Sequence, residues 1–355
     1  MFENAQEKFG GAGEVRAGME IDAAALEAWM KASIPDFHGP LQIGQFRGGQ
    51  SNPTYRLSTP ARGYVLRRKP PGQILQSAHA VDREFRVISA LSATDYPVPS
   101  VYGFCDNAAV LGTPFYVMEL VDGRVLWEPS LGEMTPASRA QHFEALVDTL
   151  ARLHRLDYVA LGLGDYGRPT GYVSRQVQRW SRQYVEDKDA GRVPAMDRMI
   201  EWLHAHMPKE DGTATIVHGD YSRTNVLFHP DRPVIRAVLD WELSTIGDPL
   251  SDLGYHLMMY WLPPEAGGHA GLDIEQLGIP SFEAYLASYC RRVERESAAN
   301  ILFYVAFNLF RLAAIIHGIR GRVARGNASS AHARDAAARV ELIADLAWHV
   351  AQEAG

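Results

Sequence analysis

The spacing of apolar and polar positions changes character about a third of the way along the chain. Before residue 122 the apolar runs are short and broken by Gly and Pro. Asp22 is placed to cap a short helix over Ala23–Lys31, with Leu26, Trp29 and Met30 on one side, and the Pro35–Pro40 stretch ends it. Leu41–Phe46, Thr54–Ser58 and Gly63–Arg68 read as successive strands, with Gly48–Pro53 as the first turn and Pro70-Pro71-Gly72 as the stop. Val81–Leu91 carries Val81, Phe85, Ile88 and Leu91 at helical spacing, and Val98–Phe104 and Phe115–Leu120 supply two further strands. Beyond that point the 3.6-residue period dominates: Phe143–Leu156, Gly171–Glu186, Asp197–His206, Leu250–Tyr260, Ser281–Arg292, Ala298–Ile319 and Ala331–Glu353 all read as helices. The pattern predicts an α+β fold. Residues 1–39 form an N-terminal helical extension, 40–122 a small lobe of antiparallel strands plus one helix, and 123–355 a larger, mainly helical lobe.

Composition narrows the class. The chain has 355 residues, 46% hydrophobic and 22% charged, enough for two lobes each with a core. A formal charge of −7 argues against bulk nucleic-acid binding through a basic surface. Two cysteines, Cys105 and Cys290, are too few for a disulfide framework and too far apart for a metal knuckle, so a reducing cytoplasm is expected. The first residues lack a basic region followed by an apolar core, so no secretory signal is read there. The most apolar stretch, Ile301–Ile316, carries Asn308 and Arg311 and reads as a buried helix rather than a membrane span. Oligomeric state is left open.

The chemistry concentrates in His218-Gly-Asp-Tyr-Ser-Arg-Thr-Asn225 and the later Asp240-Trp-Glu242, which follows the apolar run Val234–Leu239. Phosphoryl transfer needs one carboxylate to take the acceptor hydroxyl's proton, and further oxygen ligands to hold metal against the phosphates. Asp220 is the candidate base. Asn225, five residues on, and Asp240, at a strand end, are the candidate metal ligands. The same gap of five separates catalytic Asp and metal-binding Asn in protein kinases. Mg²⁺ suits one amide and one carboxylate, because it keeps several waters and takes phosphate oxygens.

These motifs resemble the aminoglycoside phosphotransferase and choline kinase superfamily, a branch of the protein-kinase-like fold. Gly48-Gly-Gln-Ser-Asn-Pro-Thr-Tyr55, Leu66-Arg-Arg-Lys-Pro-Pro-Gly72 and Gln178-Arg-Trp-Ser-Arg-Gln183 further resemble kinase domains fused to acyl-CoA dehydrogenases. The resemblance covers roughly residues 20–350. It implies a two-lobe kinase-like fold, ATP and Mg²⁺ as cofactors, and a small-molecule alcohol as acceptor. Gly49, Gln50, Ser51 and Asn52 would then cover the phosphates through backbone N–H groups and the Ser51 hydroxyl. Side chains two apart share a strand face, so Val65 would line the adenine pocket while Arg67 faces the phosphates and pairs with Glu84. Met118-Glu-Leu-Val121 resembles a hinge, with the Glu119 carbonyl and the Val121 N–H meeting the adenine edge. Two departures stand out. Arg67 occupies the usual Lys position, and Asp-Trp-Glu replaces Asp-Phe-Gly, removing the glycine of an activation switch.

The acceptor is less constrained. Arg175, Arg179 and Arg182 fall at i, i+4 and i+7 on one helix face, and Arg311, Arg320 and Arg322 form a second basic group. Aminoglycosides are polycations and favour acidic walls, so two basic groups point to an anionic acceptor such as a hydroxy acid or hydroxyacyl-CoA. Local pairing with acids such as Glu186 is the competing reading. An aminoglycoside or amino-alcohol phosphotransferase, a degenerate nucleotide- or CoA-binding module and a protein kinase are the alternatives.

Overall fold

The computed structural model describes residues 11–47, 52–70, 80–326 and 333–355. The chain divides into two compact units, and the division is discontinuous. The first takes the described parts of Met1–Leu131 together with Val159–Leu163 and Arg223–Ser244; the second takes Gly132–Tyr158, Gly164–Ser222 and Thr245–Gly355. Segment 223–244, which carries both candidate metal ligands, therefore belongs with the strands. A boundary drawn at 122 would place it with the helices.

The first unit is built on an antiparallel sheet: β1 (Ala12–Gly13), β2 (Gln42–Phe46), β3 (Thr54–Ser58), β4 (Gly63–Arg68), β5 (Val101–Cys105) and β6 (Phe115–Glu119), in the order β1-β2-β3-β4-β6-β5. The two-residue β1 was not foreseen, being too short to show alternation. Helix α1 (Ala23–Ser33) starts at Asp22, whose carboxylate accepts the Ala25 N–H at 3.0 Å. α2 (Val81–Ser92) and α3 (Ala108–Leu111) complete the unit's helices.

The two-residue period of the strands gives the sheet two different faces. One face buries Tyr55 and Leu57 of β3, Tyr64 and Leu66 of β4, and Phe115 and Val117 of β6 against Leu26 and Met30 of α1. The intervening residues Arg56, Val65, Arg67, Tyr116 and Met118 line a cavity instead. The register Arg67↔Tyr116 and Val65↔Met118 sets these side chains opposite one another. A short ribbon pairs Val226–Phe228 with Ile235–Val238, and Arg124 and Phe228 exchange backbone hydrogen bonds at 2.8 and 2.9 Å. Gly123 makes that approach possible: a Cβ there would lie 2.8 Å from the Phe228 carbonyl oxygen.

The second unit contains α4 (Pro136–His154), α5 (Tyr172–Glu186), α6 (Pro194–Ala205), α7 (Pro249–Leu257), α8 (Ile274–Leu277), α9 (Phe282–Arg292), α10 (Ile301–Ala324), α11 (Ala333–Ala337) and α12 (Val340–Ala354). Thr215–Val217 and Thr245–Gly247 form an antiparallel pair among them. α10 is the central helix, with Phe303, Val305, Phe307, Leu309 and Phe310 all buried. Among the described residues it is the helix long and apolar enough to cross a membrane by length and composition, and 78% of its most apolar window is buried inside the protein. The single helix expected over Ala331–Glu353 is corrected to two pieces. The backbone turns at Ala338 and Arg339, and an alanine-rich run carries no side-chain signal for such a break.

Candidate active site

The cavity in the first unit has a volume of about 530 Å³, within the range of small-molecule and nucleotide sites. Val65, Arg67, Glu84, Glu119, Val121 and Asp240 all line it, so six of the residues picked from sequence meet in one space. Its chemistry centres on Arg67. The Nε atom lies 3.1 Å from Glu84 Oε2, and Nη2 lies 2.6 Å from Asp240 Oδ1 and 3.6 Å from Glu242 Oε2. One guanidinium faces three carboxylates. Burial works against the Arg67 cation, but Glu84 and Asp240 more than compensate and hold it protonated. Burial pushes the Glu84 carboxyl up to about 7, opposed by Arg67 and reinforced by the charges of Asp240 and Glu242. Tyr116 sits opposite Arg67 in the sheet, and burial, with the charge of Glu84 beside it, holds its hydroxyl protonated.

That surplus of negative charge is what a divalent cation would neutralise. Asp240 is a third exposed, and its backbone is left-handed, φ 67°, an unusual conformation for a non-glycine residue. Asn225 immediately precedes the Val226–Phe228 strand and Asp240 closely follows Ile235–Val238. The Val226↔Val238 register brings both to the same end of the ribbon. A hydrogen bond from the Leu239 N–H to the Asn225 carbonyl, 2.8 Å, ties that end together. Among the described residues no cluster of three His, Cys, Asp or Glu makes a complete metal cage. A carboxylate plus an amide, completed by phosphate oxygens and water, fits Mg²⁺ and does not fit a structural zinc.

Asn52 is fully buried and donates from Nδ2 to Glu242 Oε2 at 3.4 Å, which ties the end of the Gly-rich turn to the acidic cluster rather than to the cavity wall. Gly49, Gln50 and Ser51 lie outside the described residues. Glu242 is half-buried and shared between Asn52 and Arg67.

Asp220 belongs to the second unit. The loop that carries it is clamped by Asp252 of α7, whose carboxylate accepts the N–H groups of His218 at 2.5 Å and Gly219 at 2.7 Å. Burial opposes ionisation of Asp252, but His154, His218 and the Gly219 N–H hold its carboxyl below the usual range. Gly219 has φ 84°, a conformation that favours glycine and explains the middle residue of His-Gly-Asp. The His218 ring accepts the Asp220 N–H at Nδ1, 3.2 Å, so His218 braces the loop. Arg311 of α10 donates to the Gly219 carbonyl at 2.7 Å and lies over the rings of Tyr255 and Trp180.

Tyr255 was missed from sequence. Its hydroxyl is held protonated by burial and by the nearby charge of Asp220. The available signal was its position three residues after Asp252, one helical turn along the clamp helix.

The Phosphotransferase enzyme family profile matches residues 42–289. The mouse protein named acyl-CoA dehydrogenase family member 10 is 41% identical over 345 residues, 96% of this chain; the chain spans 32% of that relative's length. A crystal structure from Ralstonia eutropha, described as a candidate aminoglycoside phosphotransferase, is 45% identical with a TM-score of 0.86, covering 94% of this chain and 99% of that one. A thermostable aminoglycoside phosphotransferase mutant, solved in a ternary complex with ADP and hygromycin B, has a TM-score of 0.59 at 16% identity, over 91% of this chain and 97% of that one. At that identity the likeness shows a common fold.

Proposed function

The chain belongs to the phosphotransferase enzyme family and has its kinase-like α+β fold, and we propose that it is an ATP- and Mg²⁺-dependent kinase acting on the hydroxyl of an anionic small molecule, a hydroxy acid or a hydroxyacyl compound. The observation that carries the kinase reading is the Arg67 cluster. One buried cation meets three carboxylates, two of which, Glu84 and Asp240, share with it the wall of a cavity of nucleotide size, beside an amide and carboxylate at one ribbon end. The ADP bound by a fold neighbour supports nucleotide use. Arg67 would hold phosphate oxygens while Glu84 fixes its guanidinium plane. The Glu119 carbonyl and Val121 N–H would meet the adenine edge. Asn225 and Asp240 would hold Mg²⁺, which when bound neutralises phosphate charge and orients the transferring group. Asp220, oriented by Tyr255 and by the clamped loop, would accept the acceptor hydroxyl's proton as the oxygen attacks the γ-phosphorus.

The acceptor class rests on charge. Arg175, Arg179 and Arg182 line a basic groove in the second unit, which suits anions and disfavours polycations. The relatives named for acyl-CoA dehydrogenase activity support an acyl-derived acceptor. Both cysteines are free and buried, which supports a reducing compartment such as the cytoplasm. The test is ADP release with MgATP across hydroxy acids, hydroxyacyl-CoAs, amino-alcohols, aminoglycosides and peptides. Turnover is expected with hydroxy acids or hydroxyacyl compounds. Turnover confined to aminoglycosides or amino-alcohols would replace the acceptor, and ADP binding without turnover of any alcohol would make the protein a binding module.

A further inference from the structure

The groove along α5 has a volume of about 720 Å³ and is lined by Arg175, Arg179, Arg182, Lys188 and Arg325 together with Glu186, Asp187 and Asp189. Its charge is unbalanced in a specific way. Arg325 is neutralised locally, with Nη1 2.6 Å from Asp187 Oδ1 and 2.9 Å from Asp189 Oδ2. Arg175 donates to the carbonyls of Thr170 and Arg168, which hold its position without cancelling its charge. The Arg179 guanidinium lies over the Trp180 indole, 5.1 Å from its centroid. Among the described residues, none of Arg175, Arg179, Arg182 and Lys188 has a carboxylate partner, and Glu186 is the one lining acid without a cation. Four unpaired cations against one unpaired carboxylate, on a chain of net charge −7, make a local field that selects multiply charged anions.

The groove is joined to the loop that carries Asp220 by two side chains, Trp180 and Arg311. Trp180 carries Arg179 within 5.1 Å on the groove side, and the buried Arg311 within 5.8 Å. Arg311 in turn bonds the carbonyl of Gly219, the residue before Asp220. This run of contacts couples the groove to the residue that precedes the candidate base.

We propose that this groove docks the phosphate-bearing tail of the acceptor, with Arg179 and Arg182 as its specificity-determining residues. This deepens the acceptor reading given above and rests on it. Guanidinium groups grip phosphate oxygens bidentately, and several on one helix face suit a pyrophosphate or adjacent phosphate esters. A free hydroxy acid, lacking such a tail, would leave the groove unused.

Two measurements separate the groove from the chemistry. The first is calorimetric titration with inorganic pyrophosphate in metal-free buffer, on the wild type and on Arg179→Glu/Arg182→Glu. Both side chains are exposed on α5, so the fold should tolerate the change, and an unchanged melting temperature verifies it. The variant is expected to bind pyrophosphate at least tenfold more weakly while its affinity for Mg·ADP is unaltered. The second compares a hydroxyacyl-CoA with the N-acetylcysteamine thioester of the same acid. The wild type is expected to favour the CoA form in KM, and the variant to raise KM for that form alone, leaving kcat in place. Equal pyrophosphate affinity in the two proteins, or an equal KM effect on both thioesters, overturns the docking role. Groove binding that the variant abolishes, without turnover of any hydroxyacyl compound by the wild type, leaves the phosphate site standing and overturns the acceptor reading instead.

Discussion

Arg67 balances one charge against three, and that imbalance has a measurable consequence. Burial, together with Asp240 and Glu242, raises Glu84 up to about 7 against the pull of Arg67, whereas an unfolded glutamate titrates near about 4.3. Between those values the folded protein keeps a proton that the unfolded chain has lost. The stabilising contribution of Glu84 is therefore full below the lower value and is lost as pH rises through the upper one. Glu84→Gln, neutral at every pH, should gain on the wild type in urea midpoint between pH 5 and pH 8; a gap that stays constant with pH would remove this assignment. Tyr255 gives a second expectation. Tyr255→Phe removes the hydroxyl that feels the Asp220 charge and keeps the ring, so kcat should fall about tenfold with the KM for MgATP unchanged, the scale of one polar interaction with a charged group. An unaltered kcat would show that Asp220 is oriented without it. Arg67 could be placed by strand parity, which is local, and its pairing with Glu84 by the family resemblance. Tyr255 and Glu242 could not be assigned, because the partners that define them, Asp220 and Arg67, lie 35 and 175 positions away in the chain.

At the level of elements, the helical period located most of the second unit, and the boundaries shifted where capping decided them. α4 begins at Pro136, capped by Thr135 on the Ser138 N–H, seven residues before the apolar stripe that reveals it. The clamp depends on how α7 meets α10. Gly254 of α7 lies against Tyr304 of α10, and an added Cβ would fall 2.6 Å from the Tyr304 Cβ and 2.8 Å from its carbonyl carbon. The two helices cannot both stay in place around a methyl group there, so Gly254→Ala should cost about 1–3 kcal/mol by overpacking. Because α7 carries both Asp252 and Tyr255, the same change should lower kcat more than it lowers affinity for Mg·ADP. Denaturation midpoints and nucleotide titrations on one preparation would check both parts. Loss of nucleotide binding with kcat retained would mean that α7 does not set the catalytic loop. The packing requirement at Gly254 is invisible in sequence, where a glycine in a helix reads simply as a weak position.

Across the whole molecule, the candidate site residues fall on different units in a way the linear motif conceals. His218–Asn225 reads as one loop, yet its first part, with Asp220, belongs to the helical unit and its last part, with Asn225, to the sheet-bearing unit. The sequence could not reveal this, because the Val226–Phe228 ribbon joins the first unit through the backbone of Arg124, about a hundred residues earlier. The cavity around Arg67, proposed above as the nucleotide site, is lined wholly by residues of the first unit. Nucleotide binding and proton abstraction should therefore separate cleanly under mutation. Asp220→Ala should abolish turnover, a loss of at least about a hundredfold for a positioned carboxylate, while keeping the full thermal shift produced by Mg·ADP. At a hundred times the dissociation constant that shift corresponds to about 2.7 kcal/mol. Asp240→Ala should lose most of the shift, since it removes a proposed metal ligand and one partner of Arg67. Hydrogen exchange gives the matching map: Mg·ADP should protect amides in β4, β6 and 226–240 more than those in α12. If Asp220→Ala instead abolished the thermal shift and Asp240→Ala preserved it, the roles assigned to the two carboxylates would have to be exchanged.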